Sequence, residues 1–378
     1  MVVTLRVLIV WSLAQLASCA GTFCNALERP LFPARMTNLG RTADVDVMVG
    51  FELLEADEWL LVGTAEKSRV LLRFSENDGL RPLANIRAQS VGEGSGVDGD
   101  AWWYAIAGGL GNQWGAMFLQ EQEPQSRIVP LPFAGTSRFV AVRGGSARGL
   151  YLYVDPHDGA TRAIEVTPDG IQHRWDLAGR DLLTTAEFLM AVRREDESIA
   201  LLVGEAERVT LKVLAANAAP GEFVLSEEPG FRYAAAANRR EELLLVSESA
   251  NRLRAIHVDL AKPDRIETIW LTGEQERSRF PTVAETDDGF VVAWIGGETQ
   301  LRARTIAHGR LALLPMNVGP ITRRGERRPF VAVRPSGDSL VFVWERGDDI
   351  VARTLPASSS GVALLTSVEA RLCDRKRH

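Results

Sequence analysis

The chain is poor in the residues that most often carry chemistry. Its 378 residues include three cysteines, five histidines and four lysines (Lys67, Lys212, Lys262, Lys376). The histidines, His157, His173, His257, His308 and His378, show no HxH, HxxxH or HExxH spacing, and there is no CxxC. A zinc site built from local sequence is therefore not expected, and no metal or cofactor is assigned. No GxSxG element is present, and Ser95, Ser249 and the other serines lack a recognisable His/Asp context. The net charge of -6 argues against a nucleic-acid surface. No stretch shows a sustained helical period. Asp181 to Arg194 comes nearest, but Thr184-Thr185 interrupts it. Val7 to Leu16 is too short for a stable membrane-spanning helix, and no second hydrophobic span follows it.

What the chain does have is a repeat. Phe280 to Ile306 reads FPTVAETDDGFVVAWIGGETQLRARTI, and Phe330 to Leu355 reads FVAVRPSGDSLVFVWERGDDIVARTL. In both, an aromatic opens a short apolar run and a Gly/Asp turn follows. A stronger run then ends in Trp (Trp294, Trp344), and a third run carries Ala-Arg. Fainter copies open at Phe139, Phe188 and Phe231, giving spacings of 49, 43, 49 and 50 residues. Val45 to Phe74 fits the three-run pattern, and Leu83 to Gln120 fits it loosely. This period belongs to propellers and solenoids. The β-branched and aromatic runs, broken at Asp158-Gly159, Asp288-Gly289 and Gly296-Gly297, read as strands joined by hairpins. Most units offer a fourth run, as at Arg127–Phe133, Ile171–Leu177, Gly221–Ser226, Ile266–Leu271 and Leu311–Val318. The expected fold is all-β, a single β-propeller of seven four-stranded blades. The Ala-rich first runs suit the crowded axis, and the Trp residues are expected to fill the gaps between blades; a sugar- or peptide-binding platform is the alternative.

The N-terminus has the pattern of an export signal: Arg6, then the apolar Val7 to Leu16, then Leu16-Ala17-Ser18-Cys19. The last four residues resemble the bacterial lipobox, which implies lipidation at Cys19. Ordinary cleavage after Ala20 is the alternative. Cys24 and Cys373 remain, at opposite ends of the mature chain. A closed ring brings its ends together, so a Cys24–Cys373 disulfide is expected, with two free thiols as the alternative. The organisation expected is a signal peptide over residues 1–18, a tether with a candidate ring-closing strand over 19–40, the propeller over 41–373 and a basic tail over 374–378.

Several polar clusters are explained as turns. Asp155-Pro156-His157-Asp158-Gly159 lacks the closing Glu of a calcium loop. Ser75-Glu76-Asn77-Asp78-Gly79 and Thr286-Asp287-Asp288-Gly289 resemble the Asp-box of sialidase-like propellers without its spacing. The glycines at Gly92, Gly94 and Gly96 and at Gly108, Gly109 and Gly111 lie between strands rather than before a helix, which does not suit a phosphate loop. The loop from Ser90 to Asp100, in the least regular unit, is the preferred place for grafted function. Arg162, Arg254, Arg302, Arg304 and Arg353 recur on third strands. They are expected to be exposed edge charges, with a cationic ring at one mouth as the alternative.

The aromatic–VAV, DG, (F/L)VVxW and (V/I)xAR pattern over most of Val45–Leu355 resembles repeats of bacterial secreted and surface β-propeller lipoproteins of unassigned role. The resemblance implies a propeller, and no catalytic residue can be carried over from it. The expectation is a monomeric, lipid-anchored scaffold of the bacterial cell envelope, periplasmic or surface-exposed, that binds a protein or glycan through its rim loops. The alternative is an extracytoplasmic glycan hydrolase or lyase with its site at the central funnel.

Overall fold

The computed structural model describes the backbone of strands between Met36 and Pro356, with interruptions at turns. Side chains are described mainly from Phe139 to Ala307 and in parts of the last two repeats. Cys19, Cys24 and Cys373 lie outside the described residues, as do the segments expected as signal and tail.

The described residues are all-β. The chain opens with β1 (Met36–Arg41). The first repeat follows as β2 (Val47–Glu55), β3 (Glu58–Ala65), β4 (Ser68–Ser75) and β5 (Gly79–Ile86). The second holds β6 (Ser90–Val91), β7 (Val97–Asp98), β8 (Ala101–Ala107), β9 (Gln113–Gln120) and β10 (Glu123–Ala134). Next come β11 (Phe139–Arg143), β12 (Leu150–Val154), β13 (Thr161–Thr167) and β14 (Gly170–Ala178). They are followed by β15 (Glu187–Arg193), β16 (Ile199–Gly204), β17 (Val209–Leu214) and β18 (Gly221–Ser226). Then come β19 (Phe231–Ala237), β20 (Glu242–Ser249), β21 (Arg252–Asp259) and β22 (Ile266–Trp270). The next unit holds β23 (Ser278–Thr286), β24 (Gly289–Gly296), β25 (Gln300–Ala307), β26 (Arg310–Leu311) and β27 (Met316–Pro320). The last strands are β28 (Phe330–Val333), β29 (Ser339–Arg346) and β30 (Asp349–Pro356).

Within each unit the strands pair antiparallel in chain order. The β11–β14 and β15–β18 units join into one sheet where β11 and β15 pair in parallel, Val142 opposite Ala191. The first strands lie side by side in sequence: β11 by β15, β15 by β19, β19 by β23, β23 by β28, and β28 by β2. This is the arrangement of propeller blades around an axis. The last sheet is completed by the start of the chain, because β1 pairs with β30, Met36 opposite Arg353 and Arg41 opposite Asp349. Met36 thus lies at the end of that sheet away from the β29–β30 turn.

Local chemistry accounts for the departures from regularity. The Leu311–Val318 run is divided into β26 and β27, which both pair with β25. Pro315, which has no N–H to donate, immediately precedes the second piece. In the least regular unit, β6 and β7 both pair with β8. The Asp288-Gly289 turn requires glycine: Gly289 has φ 154°, and a Cβ there would stand 2.1 Å from the Ile306 carbonyl oxygen.

The core lies between blades, since each sheet has two faces to cover. One cluster joins Leu244 and Val246 to Phe290, Val292 and Trp294. The next joins Val291, Ala293 and Ile295 to Leu340, Phe342 and Trp344. Trp294 and Trp344 are fully buried, as expected for inter-blade fillers. Trp344 donates its indole N–H to the Pro320 carbonyl at 3.0 Å.

Candidate functional site

Two adjacent first strands begin with the same irregularity. In β19, Phe231 faces Glu248 and Ala234 faces Val246, with the register shifting between. In β23, Arg279 faces Ile295 and Thr282 faces Ala293, with the same shift. Inside these bulges, Arg232 has φ 52° and Phe280 has φ 56°. A non-glycine residue held there costs about 1–3 kcal/mol. Bulges are over-represented beside functional sites because they re-aim side chains. Here they turn an Arg and a Phe towards one another across the seam between two blades, at the ends of strands that border the axis.

Glu248 is at the centre of the cluster. It is 3% exposed. Its carboxylate accepts from Arg232 Nη1 at 3.1 and 3.0 Å and from the Phe280 backbone N–H at 3.4 Å. The Arg232 guanidinium carbon stands 4.1 Å from the Phe280 ring centroid and 5.5 Å from that of Phe231. Arg279 approaches the Phe280 ring from its own strand, at 5.9 Å. Such stacking is favourable because the ring face is electron-rich. Phe231 is 49% exposed.

A second aromatic lies at the same end of the same blade. Trp270, the last residue of β22, is 42% exposed. Arg252 covers its ring at 4.0 Å and is paired with Glu274 at 3.4 Å. The register places both aromatics at one end: Phe231 faces Glu248, Glu248 faces Leu253, and the adjoining Arg254 faces Trp270.

The third-strand arginines depart from the expectation of exposed edge charges. Arg254 and Arg353 are buried. Arg254 reaches the preceding blade, donating to Ser226 Oγ and the Glu228 carbonyl, each at 2.8 Å, and to the Glu228 carboxylate at 3.0 Å. Arg304 donates to the Leu271 carbonyl at 2.8 Å, and Arg353 donates to the Val318 carbonyl. Burial pulls the Arg304 and Arg353 guanidinium groups below the ordinary arginine value. These side chains bind blade to blade by donating to carbonyls in or just after the preceding outer strand. Arg162 instead serves its own blade, paired with Asp155, Asp158 and Asp176. Its hydrogen bond to Asp158 leads the effects that raise its pKa. The carboxylates of the Asp155–Gly159 turn are thus engaged by Arg162, in keeping with turn chemistry.

Among the described residues, no group of three His, Cys, Asp or Glu side chains is placed to hold a metal. His257 is 3.9 Å from Glu242 and lies edge-on to Phe290, apart from the aromatic cluster. The glycines from Gly92 to Gly96 and from Gly108 to Gly111 fall outside the described residues. Sequence reasoning took Phe231 and Phe280 as strand openers and did not single out Arg232, Glu248 or Arg279. The available signal was the pair of dipeptides Phe231-Arg232 and Arg279-Phe280 at the openings of successive repeats.

No protein-family model matches the chain, and no curated protein matches it in sequence. Solved structures do resemble it. Virginiamycin B lyase from Staphylococcus aureus superposes with a TM-score of 0.56 at 11% identity, over 85% of this chain and 98% of that one. An oligogalacturonate lyase in complex with manganese gives 0.58 at 12% identity, over 86% and 94%. The oligogalacturonate lyase of Vibrio parahaemolyticus gives 0.56 at 10% identity, over 85% and 93%. At such identities the likeness is one of architecture, and it agrees with the strand pairing: the chain is an all-β propeller.

Proposed function

We propose that the protein is a seven-bladed, monomeric binding propeller of the bacterial cell envelope, lipid-anchored through Cys19, that holds a protein or glycan partner on one rim. The observation that carries this reading is the pair of exposed aromatics, Phe231 and Trp270, at one end of the β19–β22 blade. Each is stacked by an arginine. Exposed aromatics along one rim suit a contact surface, and Arg and aromatic residues dominate binding energy at interfaces. The tether fits this use. Met36 enters its sheet at the end opposite the β29–β30 turn, so an anchored propeller would turn its aromatic rim away from the membrane.

The test uses the full chain expressed in a bacterial envelope. Partner capture and glycan binding are compared for the native protein and for Phe231→Ala/Trp270→Ala. Loss of a specific partner in the double variant, with the fold intact, is the expected result. Retention of every partner would overturn the rim assignment. Cys19→Ser should release the protein from membranes, and continued membrane fractionation of a processed chain would remove the lipid anchor from the proposal.

A lyase is the second reading, favoured by the lyases among the structural neighbours. Its signature is a new carbon–carbon double bond, read by ultraviolet absorbance on incubation with uronate oligosaccharides or a cyclic depsipeptide. Turnover would establish it in place of the scaffold.

A further inference from the structure

The geometry points to a carboxylate subsite at the axial seam between the β19–β22 and β23–β27 blades, formed by Arg279, Arg232 and the Phe280 ring, for a ligand whose carboxylate is borne on a ring. It deepens the binding reading above and rests on it.

Three observations converge. First, two guanidinium groups share one phenyl ring, with their carbons 4.1 and 5.9 Å from its centroid. They come from different blades, so the arrangement belongs to the assembled seam. Second, the two cations are unequally neutralised. Arg232 is held by the buried carboxylate of Glu248, whereas Arg279 has no carboxylate in ion-pair reach among the described residues. It is half-buried against an aromatic ring, where an unpaired cation is less screened than in open water. Third, the backbone is held in an unfavourable conformation at both Arg232 and Phe280. Packing of the strand ends alone did not need this: the equivalent shift in β15, between Phe188 and Met190, is made without a residue at positive φ. Strain retained at one seam is consistent with pre-organisation for a ligand.

The ligand chemistry follows from the parts. A guanidinium presents a planar fork that matches a carboxylate. Phe231, half exposed and 5.5 Å from the Arg232 guanidinium, offers an apolar face against which a pyranose or aromatic ring can stack. A sugar acid and an aromatic acid share this chemistry, and the experiment separates them.

Full-length protein is titrated by ligand-observed NMR with glucuronate and with phenylacetate, and with their uncharged counterparts glucose and phenylacetamide. The acid of one or both pairs is expected to bind in preference to its neutral counterpart, more weakly as salt is raised. Arg279→Gln should weaken it about tenfold or more, the effect of losing one charge-assisted contact. Arg239→Gln, which removes the same charge from an exposed position at the opposite end of β19, should leave binding unchanged. Binding of glucuronate alone assigns a sugar acid, and binding of phenylacetate alone assigns an aromatic acid. Failure of both acids to bind, equal binding of the neutral compounds, or equal loss in the two arginine variants would each overturn the subsite. If the rim partner is lost in the Phe231/Trp270 variant but bound normally by Arg279→Gln, the rim reading stands and the subsite alone falls.

Discussion

At the seam between the β23–β27 and β28–β30 blades, the gap is filled by the indole of Trp344. At the seam between the β15–β18 and β19–β22 blades, the corresponding place on the second strand is Ser247, and a guanidinium does the filling. The correspondence follows from pairing: Ala234 faces Val246 as Thr282 faces Ala293, which aligns Ser247 with Trp294 of the next repeat. The indole seam admits a close backbone, since a Cβ on Gly319 would stand 2.7 Å from Trp344 Cζ2. The serine seam brings the chain before β19 closer still, since a Cβ on Gly230 would stand 2.6 Å from that of Ser247. No indole stands there, and Arg254 spans the seam by hydrogen bonds. A guanidinium crosses both seams, Arg353 to the Val318 carbonyl at one and Arg254 to Ser226 and Glu228 at the other, so the two differ in whether an indole shares the gap with it. The cluster around Phe280 lies beyond the polar seam, where a strained rim takes the place of a regular strand end.

The largest expected effect is on the apolar seam. Trp344→Ala should cost about 3–5 kcal/mol, the range for truncating a large buried aromatic, and equilibrium urea denaturation would measure it. A cost below about 1 kcal/mol would mean that the seam collapses freely and the two seams are not distinct in kind. Arg254→Met keeps most of the side-chain length and removes the donors. It should cost about 1–3 kcal/mol, because the hydrogen bonds that Arg254 gives to Ser226 and to the Glu228 carbonyl and carboxylate are lost. A variant as stable as the native protein would show the polar seam to be held by its apolar neighbours alone.

The smallest expected effect is at the far end of the blade that flanks the polar seam. There the Asp196 carboxyl is held below its usual value, first by the Ser198 hydroxyl and then by the Ser198 N–H and Arg194. A carboxyl depressed in the folded state stabilises it above the unfolded pKa, and that contribution is lost as pH falls through the lower, folded value. Melting temperature should therefore decline slightly below about pH 4, and Asp196→Asn should flatten that decline. An unchanged acid profile in the variant would remove Asp196 from the account.

Much of the architecture is legible in the sequence because a blade is local. Alternating apolar residues and Asp-Gly turns specify hairpins within a few tens of residues, so the strands Phe231–Ala237 and Gly221–Ser226 fall where the repeat places them. The site is less legible, because its parts meet only across a seam. Arg232 and Phe280 are separated by a whole repeat, and their contact depends on bulges that strand periodicity does not encode. The arginines that bind blade to blade share this difficulty. A charge on a strand face reads as solvated until a neighbouring sheet supplies the carbonyl it meets, as Leu271 does for Arg304. The pairing of β1 with β30 lies at the far extreme of sequence distance, where no local signal reaches.

That last pairing also governs the order in which the molecule can be made. The sheet holding Trp344 takes its outer strand from Met36–Arg41 and its other three from Phe330 onward. Synthesis releases β1 first and must finish β30 before the two can meet. Contacts of such separation are slow to form because the intervening chain must be ordered first. Until then one edge of β30 and both edges of β1 remain open, and the ring stays unlocked.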